Sequence, residues 1–217
     1  MNIRRGKFGL AGRPYRGNNM DEIVIRGMLK WPNVPAVYGW LSLDRRGNWM
    51  IKTLAARFER IANPAVCAFI GRNYACDGEG RWYFQNGPQR VLVSLEYTPW
   101  VYRIDDTGTG FLAHTGAAPR SLEAVFLDDA GGLLLETELG IGVILDRDLP
   151  AVLDRLCDER GRPAEPLLEG LARGAGERGR VVLHGVGLPV APVRAADLER
   201  RFGFIARPAP RAGEPEC

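Results

Sequence analysis

The sequence predicts an α+β protein built from antiparallel sheets with helices packed on one face, divided into two small domains. Three observations predict this class: closely spaced strands within residues 77–104, a hairpin motif that recurs along the chain, and a change of composition near residue 117. The chain has 217 residues, of which 46% are hydrophobic and 25% charged. It is therefore long enough to bury a sizeable core.

Alternating apolar and polar residues predict the strands of the first half at residues 37–43, 48–52, 81–86, 89–97, 100–104 and 111–114. Short turns join the three strands between residues 81 and 104, so we expect these strands to be antiparallel neighbours. Residues 53–61 predict a helix, because Leu54, Phe58 and Ile61 fall on one face. A second helix, at residues 65–74, follows Pro64. The β-branched content of residues 21–29 favours a strand.

The second half has few aromatic residues, and after Phe111 they are Phe126, Phe202 and Phe204. Its predicted strands are residues 122–127, 133–138, 140–145 and 180–186. Its predicted helices are residues 149–160, 165–172 and 195–202.

Composition also divides the chain. Residues 1–30 carry seven basic and two acidic residues. The predicted organisation is a basic N-terminal arm (residues 1–36), an aromatic-rich α+β domain (37–116), a second α+β domain (117–206) and a disordered tail (207–217), because the last residues lack apolar periodicity.

One motif, a strand followed by D-x-x-G and an apolar strand, occurs at residues 43–51, 76–84 and 127–135. The aspartate can accept a hydrogen bond from the following backbone, and the glycine supplies the positive φ of a tight turn. The first and third copies precede predicted helices. The sequence therefore predicts a duplicated hairpin-plus-helix unit.

The segments D-R-R-G-N-W, D-G-E-G-R-W-Y-F and T-P-W resemble an uncharacterised proteobacterial family, one of the domains of unknown function. The resemblance covers about residues 37–145. A related family of that kind has two α+β domains with repeated motifs, and a role in signalling or ligand binding has been suggested for it. The resemblance implies the same fold and role here, and it transfers no catalytic residue.

The sequence predicts no metal and no cofactor. Its four cysteines and two histidines do not have the spacing of a zinc site, and no dinucleotide or phosphate-loop motif is present. Unpaired cysteines favour the cytoplasm. The apolar runs are too short to cross a bilayer, so no transmembrane segment is expected.

Three functions remain open. The first is a non-enzymatic module, of the kind used in signalling, that binds a small anionic ligand or a protein segment. The second is a hydrolase or transferase that uses scattered Asp, His and Ser side chains, although no nucleophile motif supports it. The candidates are Asp105, Asp106, Asp128, Asp129, Asp146, Asp148, His114, His184, Ser94 and Ser121. The third is contact of the basic arm with nucleic acid or with a membrane, which the low lysine content disfavours.

The candidate ligand site lies on the predicted three-strand meander. Alternation places Trp82 and Phe84 towards the core, and Tyr83 and Gln85 on the other face. The same alternation puts Arg90 and Arg103 on that other face. Because guanidinium groups bind carboxylate and phosphate through paired donors, we predict that Tyr83, Gln85, Arg90 and Arg103 form an anion site.

Overall fold

The computed structural model of the chain describes residues 20–174 and 178–211. Its strands form a six-stranded sheet and a seven-stranded sheet, with short helices packed against them. The predicted α+β class, with one sheet system in each half of the chain, is confirmed. The sheets are mixed, however, because each combines antiparallel hairpins with parallel pairs.

The first sheet has the order β3-β2-β1-β6-β5-β4, with β1 and β6 parallel. Its strands are β1 (Val37–Leu43), β2 (Trp49–Lys52), β3 (Phe58–Arg60), β4 (Tyr74–Cys76), β5 (Trp82–Asn86) and β6 (Gln89–Leu95). Two helices accompany it, α1 (Glu22–Lys30) and α2 (Pro64–Arg72). The side chain of Asn63 caps α2 by accepting hydrogen bonds from two backbone amides of its first turn.

The second sheet has the order β12-β13-β9-β10-β11-β7-β8. Its strands are β7 (Trp100–Ile104), β8 (Phe111–Ala113), β9 (Leu122–Asp128), β10 (Leu133–Thr137), β11 (Gly140–Ile144), β12 (Gly179–Leu183) and β13 (Val186–Val193). The helices are α3 (Leu149–Leu153), α4 (Glu165–Ala172) and α5 (Leu198–Phe202), and 3₁₀ turns at Asp146–Asp148 and Ala195–Asp197 precede α3 and α5.

The two halves repeat one strand order. The series β3-β2-β1-β6-β5 of the first sheet corresponds to β11-β10-β9-β13-β12 of the second, and the pairs β1/β6 and β9/β13 are both parallel. Cys76 pairs with Trp82 in the first half, and Cys157 pairs with Val182 in the second. The predicted duplication is therefore present, and the motif copy at Cys76 has its own counterpart at Cys157.

Both sheets share one hydrophobic core. Tyr74 and Trp82 of the first sheet pack against Trp100 of the second, and Trp49 packs against Tyr74. The ring centroids of Trp82 and Trp100 lie 5.3 Å apart in an edge-to-face arrangement, which favours aromatic pairs. As predicted, Trp82 points into the core.

The strands β7 and β8 belong to the second sheet, although both precede residue 117. The predicted division between residues 116 and 117 therefore does not coincide with the boundary between the sheets. The prediction that β6 and β7 are antiparallel neighbours is wrong, because β7 pairs with β8 and, in parallel, with β11. Thr98-Pro99 marks the point where the chain leaves one sheet for the other.

The strand prediction for residues 21–29 is wrong, because α1 occupies this stretch. The carbonyl of Asp21 accepts hydrogen bonds from the amides of Val24 and Ile25, and the Asp21 carboxylate pairs with Arg72 at 3.1 Å. The second half of the predicted basic arm is therefore a helix docked on the first sheet. Residues 1–19 lie outside the described residues.

Two helix predictions are also corrected. In residues 53–61 the amide of Thr53 donates to the carbonyl of Arg57, and the chain turns into β3. Between residues 149 and 160 the helix ends at Leu153, because Cys157 exchanges backbone hydrogen bonds with Val182. In both places, backbone groups form hydrogen bonds with a neighbouring strand or turn. A continuous helix would not allow these bonds.

The C-terminal segment returns to the first half after α5. The amide of Ile205 donates to the carbonyl of Gly80, and the amide of Leu95 donates to the carbonyl of Ala206. Pro208 is buried, and Arg211 forms an ion pair with Glu79. The predicted tail thus begins as a docked segment, and residues 212–217 lie outside the described residues. In the described part of the chain, no helix has the length and apolar character needed to span a membrane.

Candidate functional site

A cleft of about 670 Å³ opens in the second half, where β9 and β13 end side by side. Its apolar wall comes from these strand ends and from the last turn of α4. Its polar rim comes from the turn after β9 and from the segment that enters α5. The lining residues are Leu127, Asp128, Asp129, Gly131, Leu171, Ala172, Pro192, Val193, Arg194, Asp197, Arg200 and Arg201.

The turn after β9, which forms part of the rim of this cleft, is one of five similar turns. Five aspartates of the described residues form the same turn, in which one carboxylate oxygen accepts from the amides two and four residues later, at 2.6–3.1 Å. The fourth residue of each turn is a glycine at positive φ. The five aspartates are Asp44, Asp77, Asp105, Asp128 and Asp158. The turn is therefore first a structural device.

The second carboxylate oxygen distinguishes the Asp128 turn from the turns at Asp44, Asp77 and Asp158. In these three turns the side chain four positions on donates to the second oxygen. The donor is the side-chain amide of Asn48 at Asp44, and the guanidinium groups of Arg81 and Arg162 at Asp77 and Asp158. The amide and guanidinium of Arg162 also lower the pKa of Asp158.

At the Asp128 turn the corresponding position is Gly132. A side chain there would collide with the Asp128 carboxylate and with the Arg45 guanidinium. Instead, the Tyr97 hydroxyl donates to Asp128 Oδ2 at 2.5 Å, and Arg45 Nη2 lies 3.6 Å from the same oxygen. Both partners come from the first half of the chain. We call Arg45, Tyr97 and Asp128 the inter-half cluster.

The three side chains of the inter-half cluster are held together by electrostatic contacts. The Asp128 side chain is fully buried, whereas that of Arg45 is 31% exposed. The Arg45 guanidinium lies over the Tyr97 ring, 4.3 Å from its centroid, which is a cation–π geometry. Burial, and then the hydrogen bond to Asp128, raise the pKa of Tyr97 well above its usual value, so the phenol stays protonated. Asp128 thus has satisfied partners on both oxygens.

The other carboxylates of the cleft are engaged as well. Asp129 Oδ1 accepts from the amide of Ala195 at 2.8 Å, and Asp197 pairs with Arg200 at 2.7 Å. Among the described residues, Arg194 and Arg201 have no carboxylate oxygen within 4.0 Å. The cleft therefore retains two guanidinium groups whose charge is not neutralised by direct pairing.

Arg201 is held in position by aromatic rings. Its guanidinium carbon lies 4.5 Å from the ring centroid of Phe126 and 5.6 Å from that of Phe202. Burial lowers the pKa of Arg201, the positive charge of Arg178 adds to this shift, and the negative charges of Glu136 and Asp197 oppose it. Even so, an arginine remains protonated at any physiological pH. Arg201 can therefore present a fixed positive charge to a molecule in the cleft.

The sequence-predicted site residues are not assembled as expected. Tyr83 and Gln85 are buried, and Met20, Ala36 and Tyr38 pack against the Tyr83 face of the sheet. Arg90 is near them, with its guanidinium carbon 4.0 Å from the Tyr83 ring centroid. This face is therefore not the exposed polar surface that alternation predicted.

Arg103 lies in the other sheet, on β7, where it pairs with Asp106 at 3.0 Å. The predicted juxtaposition of Arg90 and Arg103 is wrong, because their strands are not neighbours. The sequence reasoning instead missed Arg45, Tyr97, Arg194 and Arg201. A signal for the inter-half cluster was present in the repeated motif, since Gly132 stands where the copies at Asp44 and Asp77 carry Asn48 and Arg81.

The histidines do not form a catalytic pair with serine in the part of the chain that the structure describes. The His114 ring packs among Trp49, Tyr74 and Trp100, and its Nε2 is buried without a hydrogen-bond partner. The Ser121 hydroxyl donates to Glu138. Across residues 20–174 and 178–211, no group of three or more His, Cys, Asp and Glu side chains is arranged to hold a metal ion.

Comparison with known proteins gives a family without a known activity. No curated protein matches the chain in sequence. A solved structure of a DUF1285 family protein from Silicibacter pomeroyi DSS-3 has 16% sequence identity and a TM-score of 0.49, over 85% of this chain and 92% of that chain. The model of the family DUF2944, described as "Protein of unknown function (DUF2946)", matches residues 20–209. The chain therefore belongs to this family of proteins of unknown function.

Proposed function

We propose that this protein is a non-enzymatic binding module whose cleft holds a small amphipathic acid, a molecule with an apolar body and one carboxylate or phosphate group. One observation carries this proposal: Arg194 and Arg201 face an apolar cleft without a paired carboxylate among the described residues. A binding role of this kind also suits a module of a signalling pathway.

The size and lining of the cleft support this ligand class. A volume of about 670 Å³ is within the range typical of small-molecule sites. Leu127, Leu171 and Val193 offer aliphatic surface for the body of the ligand. Burial of that surface supplies affinity, and a few polar groups fix the orientation.

The charges support an anion. Asp128 and Asp197 already have cationic partners, and Asp129 is bonded to a backbone amide. An acid entering the cleft therefore meets the guanidinium groups of Arg194 and Arg201 as the remaining strong donors. Guanidinium groups bind carboxylate and phosphate through two parallel hydrogen bonds, which gives both affinity and orientation.

A titration of the full chain with sodium octanoate tests this function, with 1-octanol and sodium acetate as matched probes. Octanoate combines the two required features, octanol lacks the charge, and acetate lacks the apolar body. Calorimetry should detect binding of octanoate alone. Arg194→Ala should weaken that binding about tenfold or more, the scale of a lost charged hydrogen bond.

Arg57→Ala is the matched control, because Arg57 is an exposed arginine in the first half, away from the cleft. This variant should bind octanoate as wild type does. Equal binding of octanol and octanoate, or unchanged octanoate binding by Arg194→Ala, would contradict the proposed function.

The cytoplasmic location remains a prediction. It is supported by Cys67, Cys76 and Cys157, which are free thiols in the structure. Burial, the largest cause, raises the pKa of the Cys76 thiol to about 12, so this cysteine stays protonated and unreactive. Thiols of this kind fit a reducing compartment.

A further inference from the structure

The strand β3 forms an open edge of the first sheet. Residues 54–60, which comprise the turn before β3 and β3 itself, are all exposed. Apolar side chains in and beside this stretch face solvent, since Ile51, Leu54 and Phe58 are 46%, 99% and 43% exposed. An edge strand surrounded by exposed apolar side chains is typical of a surface that binds another strand.

The hydrogen bonds between β2 and β3 show which way the backbone groups of β3 point. The amide of Thr53 donates to the carbonyl of Arg57, and the amide of Ile61 donates to the carbonyl of Trp49. In an antiparallel ladder every second residue pair is hydrogen-bonded. The backbone groups of residues 57, 59 and 61 therefore face β2.

The backbone N–H and C=O groups of Phe58 and Arg60 consequently face away from β2. The strand β3 is the last in the order of its sheet, and no strand within the described residues pairs with it on that side. These unpaired groups can form a new ladder with an incoming strand.

The second half of the chain shows that this position in the strand order accepts a further strand. The counterpart of β3 is β11, which pairs in parallel with β7 through Gly142 with Trp100 and Ile144 with Tyr102. The same edge is therefore occupied in one half and open in the other.

The side chains of β3 indicate what kind of strand fits. Arg57 and Glu59 are both exposed and lie on the same face of the sheet. Within the part of the chain that the structure describes, neither has an oppositely charged group within 4.0 Å. If two copies of β3 pair antiparallel around Phe58, Arg57 of each copy lies opposite Glu59 of the other. Pairing centred on Glu59 or on Arg60 would instead place like charges opposite each other, which is unfavourable.

We infer that the β3 edge binds a second copy of this chain, so that the first sheets of two molecules join through antiparallel β3 strands centred on Phe58. Such an interface is isologous, because both copies use the same surface. The exposed Leu54 of each hairpin then lies near Ile61 of the second copy. A strand from a different protein would need a matching alternation of charges, and this chain supplies that alternation itself. The inference does not rest on the cleft, which lies in the other half.

Sedimentation of the full chain over a series of protein concentrations tests the inference, and a dimer is the expected result. Arg57→Glu and Glu59→Arg should each raise the dissociation constant about tenfold or more, because each creates two like-charge contacts across the interface. The double variant Arg57→Glu/Glu59→Arg should associate as wild type does, because the reversed charges pair again. Circular dichroism of the single variants checks that they remain folded.

Disulfide cross-linking tests the register. Phe58→Cys should give a covalent dimer under mild oxidation, because facing Cα atoms of a hydrogen-bonded pair lie about 5.5 Å apart, within the range that a disulfide spans. Arg60→Cys should not cross-link above the wild-type level, since roughly 13 Å of strand separates the two copies of this residue. Wild type sets the background from the native cysteines.

Arg46→Glu is the matched control for the charge reversals, because Arg46 is an exposed arginine in the turn between β1 and β2, away from the β3 edge. This variant should form the dimer as wild type does. The inference is overturned by a chain that stays monomeric at every concentration, which would leave the edge to another protein. A dimer that both single charge reversals leave intact, a double variant that does not regain association, or cross-linking through Arg60→Cys in place of Phe58→Cys would overturn it as well.

Discussion

The Asp44 turn and the Asp128 turn occupy equivalent places in the two halves, at the ends of β1 and β9. Their carboxylates nevertheless have different structural roles. The Asp44 carboxylate is satisfied within its own turn by Arg46 and Asn48. The Asp128 carboxylate reaches Tyr97 and Arg45 in the other half. A glycine in place of asparagine frees the second oxygen, so a single position converts a local turn into a link between halves.

The second difference between the halves is an insertion. In the first half the Asp77 turn leads directly from Arg81 into β5, whereas in the second half Arg162 is followed by α4 before β12 begins. The last turn of α4 supplies Leu171 and Ala172 to the cleft. The cleft therefore forms where the second half departs from the shared plan, which is where we place the ligand.

The largest expected effect tests whether the two halves share one core. Trp82→Ala should lower the free energy of unfolding by about 3–5 kcal/mol, because a buried ring is lost from the contact with Trp100. Urea denaturation should still give one transition. Two separate transitions would contradict a shared core, and near-wild-type stability would contradict the burial of Trp82. Trp31→Ala, at an exposed position, should cost little.

The next largest effect is the difference in stability loss between substitutions at the Asp128 turn and at the Asp44 turn. Asp128→Ala should lower the free energy of unfolding by about 1.5–3 kcal/mol, because the partly buried Tyr97 hydroxyl and the Gly132 amide lose a charged acceptor. Asp44→Ala should cost about 1 kcal/mol, since water can replace the carboxylate at the more open turn. Equal losses in urea denaturation would mean that the inter-half cluster adds no stability beyond an ordinary turn.

The pH dependence of the free energy of unfolding tests whether His114 stays buried at the junction of the two sheets. Burial lowers the pKa of His114 to about 3, below the value of about 6.5 expected in the unfolded chain. The neutral imidazole therefore contributes stability that is complete above pH 6.5 and is lost as the pH falls towards 3. Between pH 7 and pH 5 the loss from this residue should be about 2 kcal/mol.

His114→Phe should remove that part of the pH dependence while retaining a ring among Trp49, Tyr74 and Trp100. Urea denaturation of both proteins at the two pH values measures the difference, because the carboxylates protonate equally in each. If wild type and variant lose the same stability, the His114 ring is protonated within the fold and its burial is not maintained in solution.

Local sequence patterns are sufficient to predict the hairpins. The D-x-x-G turns, the strands that flank them and the inward side of Trp82 follow from residues close in sequence. Pairing between distant strands could not be read in this way. The chain crosses from one sheet to the other at Thr98-Pro99, and nothing local shows that Trp100 pairs with Gly142 and not with β6.

The candidate site was missed for the same reason. Arg45, Tyr97 and Asp128 are distant in sequence and meet because the two halves pack together. In contrast, the predicted anion site assumed that every polar residue on an alternating strand faces solvent, and α1 with its flanking residues covers Tyr83. The β-branched residues of this helix favour a strand, so the sequence does not predict that it covers Tyr83.

The smallest expected effect concerns the segment that returns from the second half to the first. Deleting residues 209–217 removes the exposed ion pair of Arg211 with Glu79, which is worth at most about 1 kcal/mol. It keeps the backbone bonds of Ile205 and Ala206 and the buried Pro208. The melting temperature should therefore fall by less than about 4 °C. Deleting residues 205–217 is the matched comparison, and it should cost clearly more because the link to Gly80 and Leu95 is lost. Equal melting temperatures for the two truncations would show that the returning segment does not join the halves, and a large fall for the shorter truncation would show that residues 209–217 pack on the fold.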